Sequence, residues 1–513
     1  MCFLIACSHY SPEVENVLKQ AGDNRSELEK VLRHYSQDSA DSLKLRAAEF
    51  LIVNMPDKYS EYYDAPWNDV ATVNLRWTSS SDKQMLLDTY KLGNPIVKED
   101  VKYISANYLI NTIDLAFKVW HEQPWGKYIS FETFCEEILP YRVGTEPLED
   151  WREKVLASFA DVNRSLKKQP NITAVEACRK INALLPKFRI DKDFSNMNYS
   201  MLMASTKGTC VEMSTLAVFV MRALGIPVTI DYTSKWYNYN SGHTWNVVSD
   251  SSGNHIPFMG TETGPGAPQL FNYLSGTKMF RQMFANQAIS ITELPLELQN
   301  LSIKDVSLEY AGYSNIEVPI RFSSDYPPEN GLLAAWGVKQ WNLIGWGEVD
   351  RQKIRYSVNK NVLYKPLSYS NKTQTPVNYP FMLNETGDVT FFEPDTVNYQ
   401  SFTVSEISPS NKWAHSRMVS GVFEGANRSD FSDGRVLHII KDVPDCYFQS
   451  VAIKQAAKFR YVRYISPKEL EKFIICLIPT TALAFMKNIF TNYSFGMVAN
   501  GNHWEGKKPL YTR

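Results

Sequence analysis

The stretch KGTCVEMSTLAVFVMRALGIP, residues 207–227, and the stretch SGHTWNVV, residues 241–248, indicate the fold of this chain. In the first, Gly208 permits a tight turn, and the apolar run that follows Cys210 predicts a helix. Gly225 and Pro227 end that helix. In the second, alternation after His243 predicts a strand. The sequence therefore predicts a Cys at the beginning of a helix and a His at the beginning of a strand.

Cys210 and His243 form a candidate catalytic pair. A thiol at a helix N-terminus lies at the positive end of the helix dipole, which favours the thiolate. The free N–H groups of the same turn can bind a developing oxyanion. An imidazole facing the thiol can take its proton and return it to a leaving amine. Either residue alone is more often structural, because free Cys is among the most buried residue types.

Together, the two stretches resemble the transglutaminase-like superfamily, whose core is a papain-like cysteine fold. The resemblance rests on Gly-x-Cys at the beginning of a helix, Arg-x-Leu-Gly-Ile-Pro at its end, and a His-x-Trp strand after it. It covers residues 130–265. It implies that Cys210 is the nucleophile and that His243 is the base of an acyl-transfer site.

The orienting Asp of that family is missing where the resemblance places it. In NHIPFMGTETGPG, residues 254–266, the matching position holds Met259. Asp250 is predicted to be a turn-former in a Ser-Asp-Ser-Ser-Gly hairpin. Glu262, with its longer side chain, is therefore the predicted orienting acid for His243.

Two tryptophans, Trp236 and Trp245, flank the predicted cleft. A tryptophan offers a flat apolar face with one polar N–H group, which suits both a substrate site and a core. We expect these two either to line the acyl site or to pack in the core.

The pattern along the whole chain predicts an α+β multidomain protein, because 513 residues exceed what one hydrophobic core supports. Helical periodicity dominates before the core and short strands dominate after it. The stretch KFRYVRYISP, residues 458–467, resembles a strand of galactose-binding, discoidin-like sandwiches, and the departure after Pro467 leaves the completeness of that domain open. The predicted segments are a lipoprotein signal remnant (1–10), a helical region (11–144), the transglutaminase-like core (145–300), an antiparallel β-sandwich (301–400) and a galactose-binding-like β-sandwich (401–513).

The N-terminal stretch MCFLIAC, residues 1–7, resembles the end of a bacterial lipoprotein signal, in which Cys7 receives the lipid. The apolar part is short and lacks a basic region, so a chance match is the alternative. The stretch FCEEILPYRVGTEPLEDWR, residues 134–152, is similar to a phrase before the core of large surface lipoproteins of gut Bacteroidetes. These resemblances imply an extracytoplasmic protein that a lipid on Cys7 anchors to a membrane.

The composition limits the classes of partner and cofactor that we expect for this protein. The formal net charge is −1, and the absence of a basic stripe argues against nucleic acid. The seven cysteines include no CxxC pair, so neither a zinc site of ordinary spacing nor another cofactor is expected. The 28 Tyr and 12 Trp suit sugar- or peptide-binding clefts as well as sandwich cores.

Two functions follow from these patterns. The first is a thiol acyl-transfer enzyme at the bacterial surface, more often a protease or amidase than a cross-linker, because water is always present as the acceptor. Its partners are peptide, protein or glycopeptide substrates. The second is an inactive or weak transglutaminase-like fold that binds carbohydrate or glycopeptide. The missing acid at position 259 favours this second function.

Overall fold

A computed structural model describes two compact units, which we treat separately. Unit 1 contains the described residues up to Ala311 except 294–295, and unit 2 contains 294–295 and the described residues from Gly312 onward. Cys7 and Pro467 lie outside the described residues, so the lipid on Cys7 and the completeness of the last domain stay predictions. The described residues are 10–62, 96–191, 196–236, 241–267, 276–287, 294–295, 298–300, 302–322, 331–337, 340–370, 373–393, 402–405, 419–428, 430–442, 459, 461–465, 472–476 and 496–499.

The N-terminal part of unit 1 is helical, as the sequence predicts. Ser11 caps the first helix by accepting the N–H of Val14 at 3.3 Å, and Pro12 follows at the first helical position. The helices of unit 1 are α1 (Pro12–Ala21), α2 (Arg25–Ser36), α3 (Ser42–Val53), α4 (Asp100–Tyr103), α5 (Ala106–Glu122), α6 (Phe131–Glu137), α7 (Trp151–Ser158), α8 (Ala160–Lys167), α9 (Ala174–Asn182), α10 (Tyr199–Ser205) and α11 (Cys210–Ala223).

One predicted helix is divided in two. The sequence over residues 101–122 has a continuous helical pattern, but α4 ends at Tyr103 and α5 begins at Ala106. The cause is Ser105, whose hydroxyl accepts the N–H of Tyr108 and caps α5. A cap inside an apolar pattern thus introduces a corner that periodicity alone does not show.

The strands of unit 1 form one main antiparallel sheet, in the order β7-β6-β5-β8-β9. Two short pairs accompany it, β1 with β2 antiparallel and β3 with β4 parallel. The strands are β1 (Tyr59–Tyr62), β2 (Ile96–Glu99), β3 (Arg189–Ile190), β4 (Lys207–Gly208), β5 (Val228–Thr233), β6 (His243–Ser249), β7 (His255–Phe258), β8 (Phe280–Gln282) and β9 (Ile303–Asp305).

Helix α11 packs against one face of this sheet. Phe219 and Val220 of the helix share a buried core with Val228, Val248 and Phe258 of the strands. Because side chains alternate along a strand, the residues between these core positions point to the other face of the sheet. The face of the sheet that is turned away from α11 carries polar residues.

Unit 2 contains antiparallel sheets and is sandwich-like. Its larger sheet has the strand order β10-β13-β12-β11-β14-β16-β17, with β15 paired to β14. A core that includes Val318, Ile344, Tyr356 and Phe381 fills it. The strands are β10 (Tyr313–Pro319), β11 (Gly331–Trp336), β12 (Trp341–Asp350), β13 (Lys353–Asn359), β14 (Leu363–Ser370), β15 (Thr373–Pro376), β16 (Phe381–Leu383) and β17 (Val389–Phe391).

The last strands form two further antiparallel sheets, β20-β19-β21-β22 and β18-β23. The predicted strand at 458–467 corresponds to β21, while the discoidin-like assignment and the boundaries at 144, 300 and 400 stay predictions. Among the described helices, none is long and apolar enough to cross a membrane. The strands are β18 (Phe402–Ser405), β19 (Val422–Ala426), β20 (Arg435–Ile439), β21 (Tyr461–Ile465), β22 (Lys472–Cys476) and β23 (Gly496–Ala499).

Candidate active site

The first turn of α11 is held by a capping box that fixes the position of Cys210. The carboxylate of Glu212 accepts both the backbone N–H and the hydroxyl of Thr209 at 2.7 Å. The Thr209 hydroxyl in turn accepts the N–H of Val211 at 3.3 Å. Gly208 has φ +149°, and a Cβ there would lie 2.4 Å from the Cβ of Glu212. A side chain at 208 would therefore displace the residue that caps the helix.

The Cys210 thiol lies half-buried at this helix end, and the pKa of the thiol is raised because burial disfavours the thiolate. Backbone N–H groups of Thr244, Cys210 and Val211 favour the thiolate, but burial outweighs them. The helix end thus favours the thiolate as expected, but the net shift of the thiol pKa is upward because burial is the larger effect. The N–H groups that approach the sulfur are nevertheless donors of the kind that an oxyanion hole uses.

His243 begins β6, directly before the residue whose N–H reaches the Cys210 sulfur. Burial lowers the pKa of the imidazole, which favours the neutral ring. Its ring lies among indoles, with centroid distances of 5.8 Å to Trp236 and 5.9 Å to Trp245. In the part of the chain that the structure describes, no hydrogen bond joins the Cys210 sulfur to this ring. Both groups are therefore favoured in their neutral forms, and both belong to the end of β6 at which the Thr244 N–H reaches the sulfur.

The hydrogen bonds of two β6 side chains show which way the side chains of this strand face. Asn246 donates to the carbonyl of Ser214 on α11 at 3.0 Å, so it points to the helix side of the sheet. Trp245 donates its Nε1–H to the hydroxyl of Tyr310 at 2.8 Å, on the opposite side. Alternation places His243 with Trp245. The imidazole therefore has the polar face of the sheet beneath it rather than the helix.

Met259 stands where the resemblance expects an acid, and the structure brings no acid there in its place. The pairing of β6 with β7 ends at Asn246 and Phe258, one residue before the buried Met259. Glu262 is exposed in the turn that follows, with its N–H on the carbonyl of Met259 at 3.2 Å. Among the described residues, no carboxylate forms a hydrogen bond or ion pair with His243. Orientation of His243 by Glu262 stays a prediction.

The two tryptophans differ in their surroundings. Trp245 is 1% exposed and packs edge-on against Tyr310, so it belongs to the interior of unit 1. Trp236 is partly exposed and stacks on Trp245 at 6.3 Å. Of the two, Trp236 is the one that a substrate can contact. Its role in lining an acyl site stays a prediction.

Asp250 and His255 have the structural roles that their positions indicate. Asp250 accepts the N–H groups of Ser252 and Asn254 at 2.8 and 2.9 Å and closes the turn between β6 and β7. His255 begins β7, with its Nε2 2.8 Å from a carboxylate oxygen of Glu137. Neither residue contacts Cys210 or His243 in the described structure.

The sequence patterns do not predict the buried polar cluster that Trp245 contacts through Tyr310. Asp231 on β5 is fully buried and holds the Arg281 guanidinium through two bonds, at 2.8 and 2.9 Å. Tyr310 donates its hydroxyl to Asp231 at 2.6 Å. Asp231, a carboxylate in the middle of the strand-like run of residues 226–236, is the sequence feature that could have indicated it. Its partners lie far along the chain, and no motif connects them.

Comparisons with known proteins agree with this geometry. The model of the family described as Transglutaminase-like superfamily matches residues 161–258, which include Cys210 and His243 and end one residue before Met259. No functionally curated protein matches the chain. Among the described residues, no group of three or more His, Cys, Asp or Glu side chains could hold a metal ion. The helix-borne Cys, the strand-borne His and the matched segment together show that the chain contains a transglutaminase-like superfamily domain at residues 161–258.

Proposed function

We propose that the protein is a thiol acyl-transfer enzyme that hydrolyses peptide or carboxamide bonds. The observation that supports this most is the position of Cys210: its sulfur lies at the end of a capped helix, within reach of the N–H of Thr244, the residue that follows His243 on β6. The match to the transglutaminase-like superfamily is consistent with this type of fold. Hydrolysis is the proposed outcome because water needs no binding site of its own, whereas an amine acceptor does.

The raised thiol pKa and the lowered imidazole pKa favour a neutral resting pair. The imidazole of His243 takes the thiol proton as the sulfur attacks the carbonyl carbon. The N–H groups of the first turn bind the tetrahedral oxyanion. Collapse breaks the C–N bond, the imidazolium gives its proton to the leaving amine, and a thioester remains. Water, deprotonated by His243, then releases the carboxylic acid and restores the thiol.

Substrate class and location follow from the sequence and are part of the proposal. Peptides, proteins or glycopeptides are the proposed substrates, and Trp236 is the aromatic residue placed to contact them. A surface location through a lipid on Cys7, in the manner of the Bacteroidetes lipoproteins, is proposed from the N-terminal resemblance alone.

The test uses the full chain, with dye-labelled casein as the substrate and mass spectrometry to locate iodoacetamide on individual cysteines. Cys210→Ala should abolish cleavage, and His243→Ala should lower it by roughly 10²–10⁴-fold, the usual share of general base catalysis. His34→Ala is the matched control, because His34 is exposed on α2. Cleavage that survives Cys210→Ala would overturn the proposal.

A second function, binding without turnover, is favoured by one observation. The His243 ring carries no acid partner among the described residues, and burial favours the neutral form of the Cys210 thiol. Unit 2 offers an aromatic pair for a glycan, Trp336 and Trp341, packed edge-to-face at 5.2 Å. Glycan binding that is retained in Cys210→Ala and lost in Trp341→Ala, with no cleavage by the unmodified protein, would support this function instead.

A further inference from the structure

We infer that Tyr310 is a positioning residue for His243: through Trp245 it orients the imidazole, in the place of the acid that is missing at position 259. The inference rests on the proposed function. Tyr310 lies outside the matched segment, 161–258, so the family resemblance says nothing of it.

The contact chain has two hydrogen bonds and one ring contact. The indole N–H of Trp245 donates to the Tyr310 hydroxyl at 2.8 Å. The Tyr310 hydroxyl donates to Asp231 at 2.6 Å. The indole then lies 5.9 Å from the His243 ring, with 32° between their planes. Each polar atom in this series of contacts therefore has a partner, which fixes the rotation of the Trp245 indole about its side-chain bonds.

Asp231, at the far end of this series of contacts, is held in place by further hydrogen bonds. Asp231 binds Arg281 through both carboxylate oxygens, and Arg281 also binds Glu309 at 2.8 and 3.1 Å. Asp231 is 0% exposed and Arg281 is 3% exposed, so water does not compete for the bonds between these two side chains, whereas Glu309 is exposed. Burial, with Asp231 next to it, raises the pKa of the Tyr310 hydroxyl far above its usual range, so the hydroxyl stays a donor.

His243 depends on its ring contacts for its orientation. An imidazole held by a carboxylate is fixed through its far nitrogen. Here no carboxylate reaches the ring within the described residues, and the indoles of Trp236 and Trp245 are its aromatic neighbours. Trp245 is itself fixed by a hydrogen bond from its indole to a buried partner, and within the described residues the Trp236 indole has no such bond. A Trp245 that can rotate would leave the imidazole without a rigid neighbour.

The test removes one oxygen atom. Tyr310→Phe keeps the ring but leaves the Trp245 N–H without its partner and removes one of the two hydrogen bonds that Asp231 Oδ2 accepts, while Arg281 still holds both Asp231 oxygens. We expect the rate of Cys210 alkylation by iodoacetamide at neutral pH and the rate of casein cleavage to fall about tenfold or more, since small misplacements of catalytic groups have effects up to about 100-fold. The pH profile of alkylation should move toward that of Cys210 in His243→Ala.

Two further variants separate positioning from general damage. Glu309→Gln loosens Arg281 at the far end of the cluster but leaves the Trp245–Tyr310–Asp231 bonds intact, and it should keep both rates and the pH profile. Trp245→Phe removes the N–H from the other side, and the double variant with Tyr310→Phe should be no slower than the slower single variant. If Tyr310→Phe does not fold, Trp245→Phe is compared with Glu309→Gln in the same assays.

The outcomes distinguish this inference from the proposed function. Wild-type rates in Tyr310→Phe, with Cys210→Ala and His243→Ala inactive, would overturn the inference and leave the function standing. A lowered melting temperature with an unchanged pH profile would equally overturn it, because that result describes a structural role. Cleavage by Cys210→Ala would overturn the function itself.

Discussion

At the scale of single residues, Cys210 shows how burial and a helix end compete. The capping box and the N–H groups near the sulfur favour the thiolate, yet the thiol pKa is raised because the side chain is largely removed from water. Of the cysteines whose side chains are described, Cys135 and Cys178 are fully buried and have pKa values raised further, to about 12 for Cys135. Cys210 is therefore the most reactive of the three without being an activated thiolate at rest.

Alkylation kinetics test this electrostatic description. The rate of Cys210 labelling by iodoacetamide should rise with pH and reach half its plateau above the ordinary thiol pKa, because burial raises that pKa. Cys135 and Cys178 should label more slowly at every pH. Mass spectrometry of quenched time points gives the three rates separately. A plateau already reached below pH 7 would show a thiolate–imidazolium pair instead.

The glycine before the nucleophile is a second residue-scale prediction. Gly208→Ala should lower the free energy of unfolding by about 1–3 kcal/mol, because the new methyl group overlaps Glu212 and breaks the cap. It should also slow Cys210 alkylation. Gly253→Ala is the matched control, since Gly253 also has a positive φ, +82°, but has no atom within 4 Å of the added Cβ. Equal losses in both variants, measured by urea unfolding, would assign the effect to backbone strain alone.

At the scale of elements, the sheet of unit 1 separates two environments. Its helix face is an apolar core, and its other face carries Asp231, Arg281, His255 and Glu309. Glu137 from α6 reaches the same cluster through His255 and the Ser249 hydroxyl, at 2.8 and 2.6 Å. The cluster therefore contains three carboxylates, two of them bound to the Arg281 guanidinium and the third, Glu137, bound to His255, and a protonated His255 brings its charge closer to neutrality.

The cluster makes stability depend on pH. Burial alone would lower the pKa of His255, but hydrogen bonds with Glu137 and Glu309 raise it to about 9. A raised folded-state pKa adds stability that is complete below the unfolded value near 6.5 and is lost as pH rises through 9. We expect a loss of roughly 2–3 kcal/mol between pH 6 and pH 10 from this group.

His255→Gln should remove most of that pH dependence. Urea unfolding of the full chain at several pH values, with His34→Ala as the exposed control, measures it. The same slope in His255→Gln and in the unmodified protein would show that His255 does not titrate with the fold.

The elements also show where sequence patterns succeed. The helical spacing of Val14, Val17, Leu18 and Ala21 predicts the inner face of α1, the spacing of Leu28, Val31, Leu32 and Tyr35 predicts that of α2, and the structure buries all of these residues. Local signals suffice there, because capping and a 3.6-residue period both act within one segment. The sequence pattern does not indicate strand β12, because Gly345 and Gly347 interrupt the alternation of WNLIGWGEVD, residues 341–350.

At the scale of the whole molecule, the two units have cores of their own. The core of the larger sheet in unit 2 consists of residues from Ile316 to Leu383, and both large cores of unit 1 consist of residues from its own segments. The order of helices, mixed core and antiparallel sheets could be predicted from the sequence. The hydrogen bonds of Asp231, Arg281 and Tyr310 could not, because they join residues far apart in the chain through geometry that no local pattern encodes.

Separate cores predict separate responses to mutation. Phe381→Ala, in the core of unit 2, should cost about 3–5 kcal/mol in that unit. It should leave the rate of Cys210 alkylation unchanged. Differential scanning calorimetry with alkylation at the same temperatures measures both, and Phe219→Ala, in the core that α11 shares with the sheet of unit 1, is the contrasting variant. A Phe381→Ala chain with slowed Cys210 alkylation would contradict this independence.

The hydrogen bond between Trp245 and Tyr310 has an evolutionary consequence. The candidate nucleophile and base both lie inside the matched segment, but Tyr310, the residue proposed to orient His243, lies well beyond it. Selection for activity would therefore act on positions both inside and outside the matched segment. A descendant can keep Cys210 and His243 and still decline in activity through loss of one hydroxyl group. Positions 245 and 310 should then change together among relatives that lack an acid at position 259, and should vary independently among those that have one.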